Sequence, residues 1–154
     1  MMTYRRAIAL ISLASGMVAL YLALWKMGFM GPLACGAGQG CQYVQGSRYG
    51  AFLGVDVALI GTIGYAMIAA VALAGATEQH EDARWPTQVL MMLIYGAVLF
   101  TLRLKYAEFV LLKSFCPWCA VSAVAITLDA ILVTLDWRRV RDNVAAPDLL
   151  QEPA

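Results

Sequence analysis

Four long apolar runs, separated by short polar breaks, set the pattern of this chain. The first covers residues 7–24 and follows Arg5 and Arg6 with no charge inside it. The second covers residues 55–76; Asp56 blurs its start, but 57–76 is uncharged. The third begins near Pro86, is uncharged over 87–102, then takes in Arg103, Lys105 and Glu108 before Lys113. The fourth covers 119–135 with one charge, Asp129. A bilayer core about 30 Å thick needs about 20 apolar residues of helix. The pattern therefore predicts an all-α integral membrane protein, a bundle of four transmembrane helices. Composition agrees: 62% of the 154 residues are hydrophobic and 14% charged, where soluble domains run near half and a quarter. Span one can also be read as a cleaved signal peptide, but its run exceeds the usual h-region of about 7–15 residues, so a retained helix is expected.

Charge then suggests an orientation. Arg5 and Arg6 precede span one and Arg138, Arg139 and Arg141 follow span four. An even number of spans puts both ends on one side, which the positive-inside rule makes cytoplasmic. Residues 77–85 join that side, with His80 expected to be solvated. Lys26, Arg48 and Lys113 lie outside, and Arg103 and Lys105 snorkel outward, so the inside excess is thin. A net charge of +1 gives no footprint for nucleic acid. The expected location is the inner (cytoplasmic) membrane. Residues 1–141 form the membrane domain and 142–154 a cytoplasmic tail, expected to be disordered.

This orientation puts all four cysteines on the extracytoplasmic face, where disulfides form and persist. Cys116-Pro117-Trp118-Cys119 opens span four. Residues three apart share a helix face, so the pair can close a disulfide. Pro117 suits the first turn, where its missing N–H costs nothing. The positive helix end lowers thiol pKa and favours exchange. Cys116 is expected to be the outer sulfur, nearer water, with Cys119 about 4.5 Å deeper and better placed for a lipid-soluble acceptor. Half a zinc site or two passive cysteines are the bland alternatives. The second pair, Cys35 and Cys41, brackets a glycine-rich segment that suits a mobile carrier, or else a static loop staple. Exchange through mixed disulfides makes the four cysteines a possible relay whose acceptor the spacing does not identify.

The ordered set resembles the bacterial branch of the vitamin K epoxide reductase family. The likeness rests on Cys35-x5-Cys41, Ser47 six residues later, Gly54-x-x-Val57 at the start of span two, Phe109-Val110-Leu111, and Cys116-Pro-Trp-Cys119, and covers residues 5–137. The DsbB type of quinone-linked oxidase carries its CxxC in the first outer loop, which this order disfavours. The resemblance implies a four-helix bundle around a quinone (ubiquinone or menaquinone), capped by a short helix from the first extracytoplasmic loop. It implies that Cys35 takes electrons from a periplasmic thioredoxin-like (DsbA-type) protein, Cys41 exchanges with Cys116, and Cys119 faces the quinone. Ser47 would support the quinone head, with Val44 and Tyr49 lining the cap. Ser47 reads equally well as a turn serine, and Val44 and Tyr49 as interfacial packing.

Three positions depart from the family pattern. Ala123 stands where vertebrate members have a tyrosine beside the quinone, no asparagine occurs near the start of span two, and Asp56 replaces a proline common in bacterial relatives. Epoxide reduction is therefore not expected. Many bacterial relatives carry a fused thioredoxin-like domain after span four; here a separate thiol partner is expected. Lys105 and Glu108, three apart, form a candidate pair, and Asp129 is expected to point into the bundle. Met91 and Met92 read as packing, and Gly61, Gly64, Ala69 and Ala70 as close helix contacts. The competing function is a thiol-based carrier of a soft metal ion, and the third a disulfide-stapled structural subunit.

Overall fold

The computed structural model describes residues 4–32, 40–80 and 83–149, with side chains as far as residue 143. Cys35, the first member of the loop pair, lies outside the described residues. Helices α1 (Tyr4–Lys26), α3 (Val57–Gly75), α4 (Arg84–Tyr106) and α5 (Pro117–Leu149) form the bundle, and α2 (Gly40–Gly46) is a short helix between the first two. Four segments are long and apolar enough to cross a membrane, so the chain is the multi-pass membrane protein its pattern predicts. The helices pack in a ring, α1 on α3, α3 on α4, α4 on α5 and α5 on α1.

Large apolar side chains face outward, among them Met17, Met92, Leu99, Leu102 and Val124. In lipid there is no penalty for exposing them, so helix association rests on close packing. A Cβ on Gly61 would stand 3.6 Å from that of Ala19, and one on Gly16 would stand 3.3 Å from that of Tyr65. These small residues let α1 and α3 approach. Inside the ring, Ile8, Ile68, Leu90, Ile94 and Val133 form the central core. Asp129 does point inward: it is fully buried, and Ser12 Oγ donates to its Oδ2 at 2.9 Å.

The end of the bundle away from the cysteines is closed by Arg5. Its Nε meets Asp136 Oδ2 at 2.9 Å. Nη1 donates to the carbonyls of Gly75 and His80 at 2.6 and 2.7 Å. Nη2 donates to the Ala83 carbonyl and Thr87 Oγ1 at 3.0 and 2.9 Å. All five guanidinium donors are used. Arg5 thus ties α1 to the end of α3, the connecting turn, α4 and α5. His80 is half-buried, with its ring edge-on to Trp85.

The opposite end differs from a plain helical cap. After α1, a Schellman close with Gly28 at φ 82° turns the chain. After α2 comes a single 3-10 turn, Arg48–Gly50, then a two-residue hairpin of β1 (Ala51–Phe52) and β2 (Val55–Asp56). Leu53 and Gly54 form its turn at φ 52° and 83°, the doubly left-handed geometry that matches strand twist. Asp56 then caps α3, accepting from Ala58 N–H at 2.8 Å, and pairs with Lys26 at 3.2 Å. The residue that blurred the start of span two is its cap. At the chain's other end, α5 does not stop near Arg141 but runs on to Leu149. Extending an existing helix needs no new nucleus, so a polar tail can stay helical beyond the span.

Candidate functional site

The site grows from the junction of α4 and α5. The last turn of α4 opens into a π turn over Ala107–Leu111, a device that re-aims side chains and recurs at functional sites. It brings Glu108 inward, 2% exposed. Glu108 Oε1 accepts the Cys116 N–H at 2.6 Å, and Oε2 meets Lys105 Nζ at 2.6 Å. The expected Lys105–Glu108 pair is therefore present, and it also reaches the cysteine motif. Lys105 Nζ stands 5.6 and 5.8 Å from the ring centres of Phe109 and Phe115, contacts that favour a cation.

Helix α5 begins at Pro117, its first helical residue. Cys116 occupies the cap position, and its sulfur accepts the Cys119 N–H at 3.3 Å. A serine or aspartate side chain commonly fills this role; here a cysteine sulfur does. Cys116 is not the water-facing sulfur the motif suggested. It is fully buried, clustered with Cys41, Leu22, Ala23 and Ala58, and Cys119 and Trp118 pack against the same group. The reason is α2, which docks over the start of α5. Gly40 lies so close to the Phe115 carbonyl that a Cβ would collide with it. The Cys116 thiol is pushed above its ordinary value, first by its hydrogen bond with Cys119 and then by burial, with the nearby Glu108 charge adding to the effect.

Cys119 is less buried and lies on the wall of a cavity of about 360 Å³ between the helices. The wall is apolar on most sides, with Leu22, Ile60, Phe100 and Leu104 among its residues. Val44 and Tyr49 also line it. Ser47 and Ala123 do not. The Ser47 hydroxyl donates to the Val44 carbonyl at 2.7 Å and accepts the Tyr49 N–H at 3.3 Å, fixing the 3-10 turn that follows. Ala123, one helix face away, accepts from Thr127 through its carbonyl. Among the described residues no group of three Cys, His, Asp or Glu is placed to hold a metal ion.

Three residues of the cavity wall escaped the sequence reading. Gln45 is buried, and its Nε2 lies 3.7 Å from Cys119 Sγ. Its only advance signal is its place four residues after Cys41, on the same face of a short helix. Tyr65 and Ser122 share a 2.7 Å hydrogen bond on the cavity wall.

The space suits a flat, mostly apolar ring bearing a few polar oxygens. It has the size of a small-molecule site, largely apolar with few polar groups. A sulfur stands at its edge and hydrogen-bonding groups from Gln45, Tyr49, Lys105 and Glu108 are spaced around it. A quinone head fits that chemistry. Residues 6–134 match the family model described as the Vitamin K epoxide reductase family.

Proposed function

The chain belongs to the vitamin K epoxide reductase family, membrane thiol oxidoreductases that use quinones, and on that premise we propose that it is a thiol:quinone oxidoreductase serving disulfide-bond formation. The observation that carries the reading is the placement of Cys119 on the cavity wall, with Cys116 and Cys41 buried beside it.

In the proposed cycle a thioredoxin-like dithiol protein attacks Cys35 of the Cys35–Cys41 disulfide, and Cys41 leaves as thiolate. Cys41 attacks Cys116, breaking the Cys116–Cys119 bond and releasing the Cys119 thiolate. The partner's second thiol displaces Cys35, leaving the partner oxidised. Cys35 then attacks Cys41, which restores the loop disulfide and frees Cys116. Cys116 and Cys119 are left as a dithiol carrying two electrons and two protons. A bound quinone supplies the two-electron sink that returns them to the disulfide. Gln45 offers its side-chain N–H to the Cys119 sulfur at 3.7 Å, and the Cys119 N–H caps α5 on Cys116 Sγ. Val44 and Tyr49 shape the cavity, and Ser47 holds the turn that presents Tyr49. The cysteines face the extracytoplasmic side of the inner membrane and the termini the cytoplasm, a reading supported by Arg6, Arg138, Arg139 and Arg141 at the far end of the bundle.

The test is quinone reduction in detergent or membranes, fed by a reduced thioredoxin-like protein, comparing wild type with Cys119→Ala. Turnover in the wild type that vanishes in the variant supports the route. A folded wild type that reduces no quinone sinks it and turns attention to stoichiometric metal binding by the four thiols.

A further inference from the structure

Among the described residues that line the cavity, Lys105 and Glu108 are the only charged ones, and they touch each other. Both are withdrawn from solvent, at 17% and 3% side-chain exposure. Burying a charge in a mostly apolar wall is costly unless it is paired, and a packing role would be met by apolar side chains. Glu108 also touches the cysteine motif, through the Cys116 N–H at 2.6 Å. The pair therefore links the cavity wall to the backbone of the cysteine motif. The titratable groups that share this cavity wall are Tyr49 from the 3-10 turn, Tyr65 from α3 and Cys119 from α5, while Arg48 and Arg103 line the adjoining pocket with Leu104 and Ala107.

Resting on the thiol:quinone reading above, we infer that Lys105 and Glu108 form the proton-transfer pair of the reaction, carrying protons from the cysteine pair to the reduced acceptor. Oxidising Cys116 and Cys119 forms one S–S bond and releases two electrons and two protons. Reducing a quinone to its quinol consumes two of each. The Glu108 carboxylate takes up a proton leaving the thiols. Lys105 Nζ gives one to the acceptor oxygen and recovers the one held on Glu108. The second proton makes the same passage, so the pair ends as it began. General acid–base assistance of this kind contributes about 10²–10⁴-fold.

The experiment uses full-length protein in detergent, with Glu108→Gln, Lys105→Met and Lys105→Arg. Glutamine keeps an acceptor for the Cys116 N–H, so the helix start is preserved while the charge is lost. The first readout needs no quinone: the pH midpoint for alkylation of Cys116 in the reduced protein, read by mass spectrometry. In Glu108→Gln it should fall, since a like charge is removed. The second readout is steady-state quinone reduction. Both lysine variants should lose about 10²-fold in kcat with KM for quinone unchanged, because arginine keeps the charge but does not release its proton. Wild-type kcat in Lys105→Arg, or an unmoved midpoint in Glu108→Gln, overturns the inference. Thermal melts confirm folding, and the lysine variants carry the test if Glu108→Gln fails to fold. An inactive wild type sinks the parent reading, whereas an active wild type with unchanged variants sinks only the pair.

Discussion

Replacing Arg5 by methionine removes five hydrogen bonds at once and leaves Asp136, 2% exposed, held by the Thr87 hydroxyl at 2.6 Å. Summing the five bonds would overstate the cost, because the carbonyls of His80 and Ala83 are only part-buried and water replaces their donor. The dominant loss is the stranded carboxylate. Breaking a buried ion pair from one side costs about 3–5 kcal/mol. The exposed pair between Arg141 and Asp142, at 63% and 68% exposure, belongs to a class worth about 0–1 kcal/mol. Burial, not charge count, separates the two. Arg5→Met should therefore destabilise the bundle by about 3–5 kcal/mol in SDS-driven unfolding followed by tryptophan fluorescence. Arg5→Met combined with Asp136→Leu should recover most of that loss, since the buried charge goes as well. Arg5→Lys should not rescue, because an ammonium has three donors and no fork. A loss of less than about 1 kcal/mol for Arg5→Met would refute the claim that this knot closes the bundle.

Two further outcomes follow from the cysteine end. Gly40→Ala puts a methyl group against the Phe115 carbonyl, so α2 must lift off the start of α5; quinone reduction should fall at least about tenfold, about 1.4 kcal/mol in barrier, while the detergent melting temperature stays near wild type because the four long helices are untouched. The reduced protein should also lose stability at high pH. Its Cys116 thiol is raised above the ordinary value of 9.0, chiefly by the Cys119 hydrogen bond and then by burial, so the folded state keeps a proton that the unfolded state has released. That contribution is complete below the ordinary value and fades as pH climbs above it toward the folded value. Melting of reduced protein across that range should fall with pH, and Cys116→Ser should flatten the slope; a slope unchanged by the substitution would refute the assignment to Cys116.

How much of this was legible in the chain follows from where each element gets its partners. The four spans were readable because lipid forces every backbone group to pair within its own helix, leaving an uncharged run as the whole signal. The start of α5 was readable because Pro117 and the two cysteines act within one turn. The bundle ends were not, because their polar groups are satisfied from far away. Arg5 before an apolar run looks like a charge that sets orientation; only its contact with Asp136, 131 positions on, makes it a buried hub. Glu108 could be paired with Lys105 from spacing alone, but its bond to the Cys116 N–H depends on the π turn, which no periodicity announces. The same gap explains the misplaced Cys116: its place at the start of α5 suggested contact with water, but α2 docks over that start and buries it. Both ends thus share one construction, a buried charged side chain gathering backbone groups that no helix can satisfy by itself. At the far end that construction locks the helices together. At the cysteine end it holds the backbone of Cys116, the residue that caps α5.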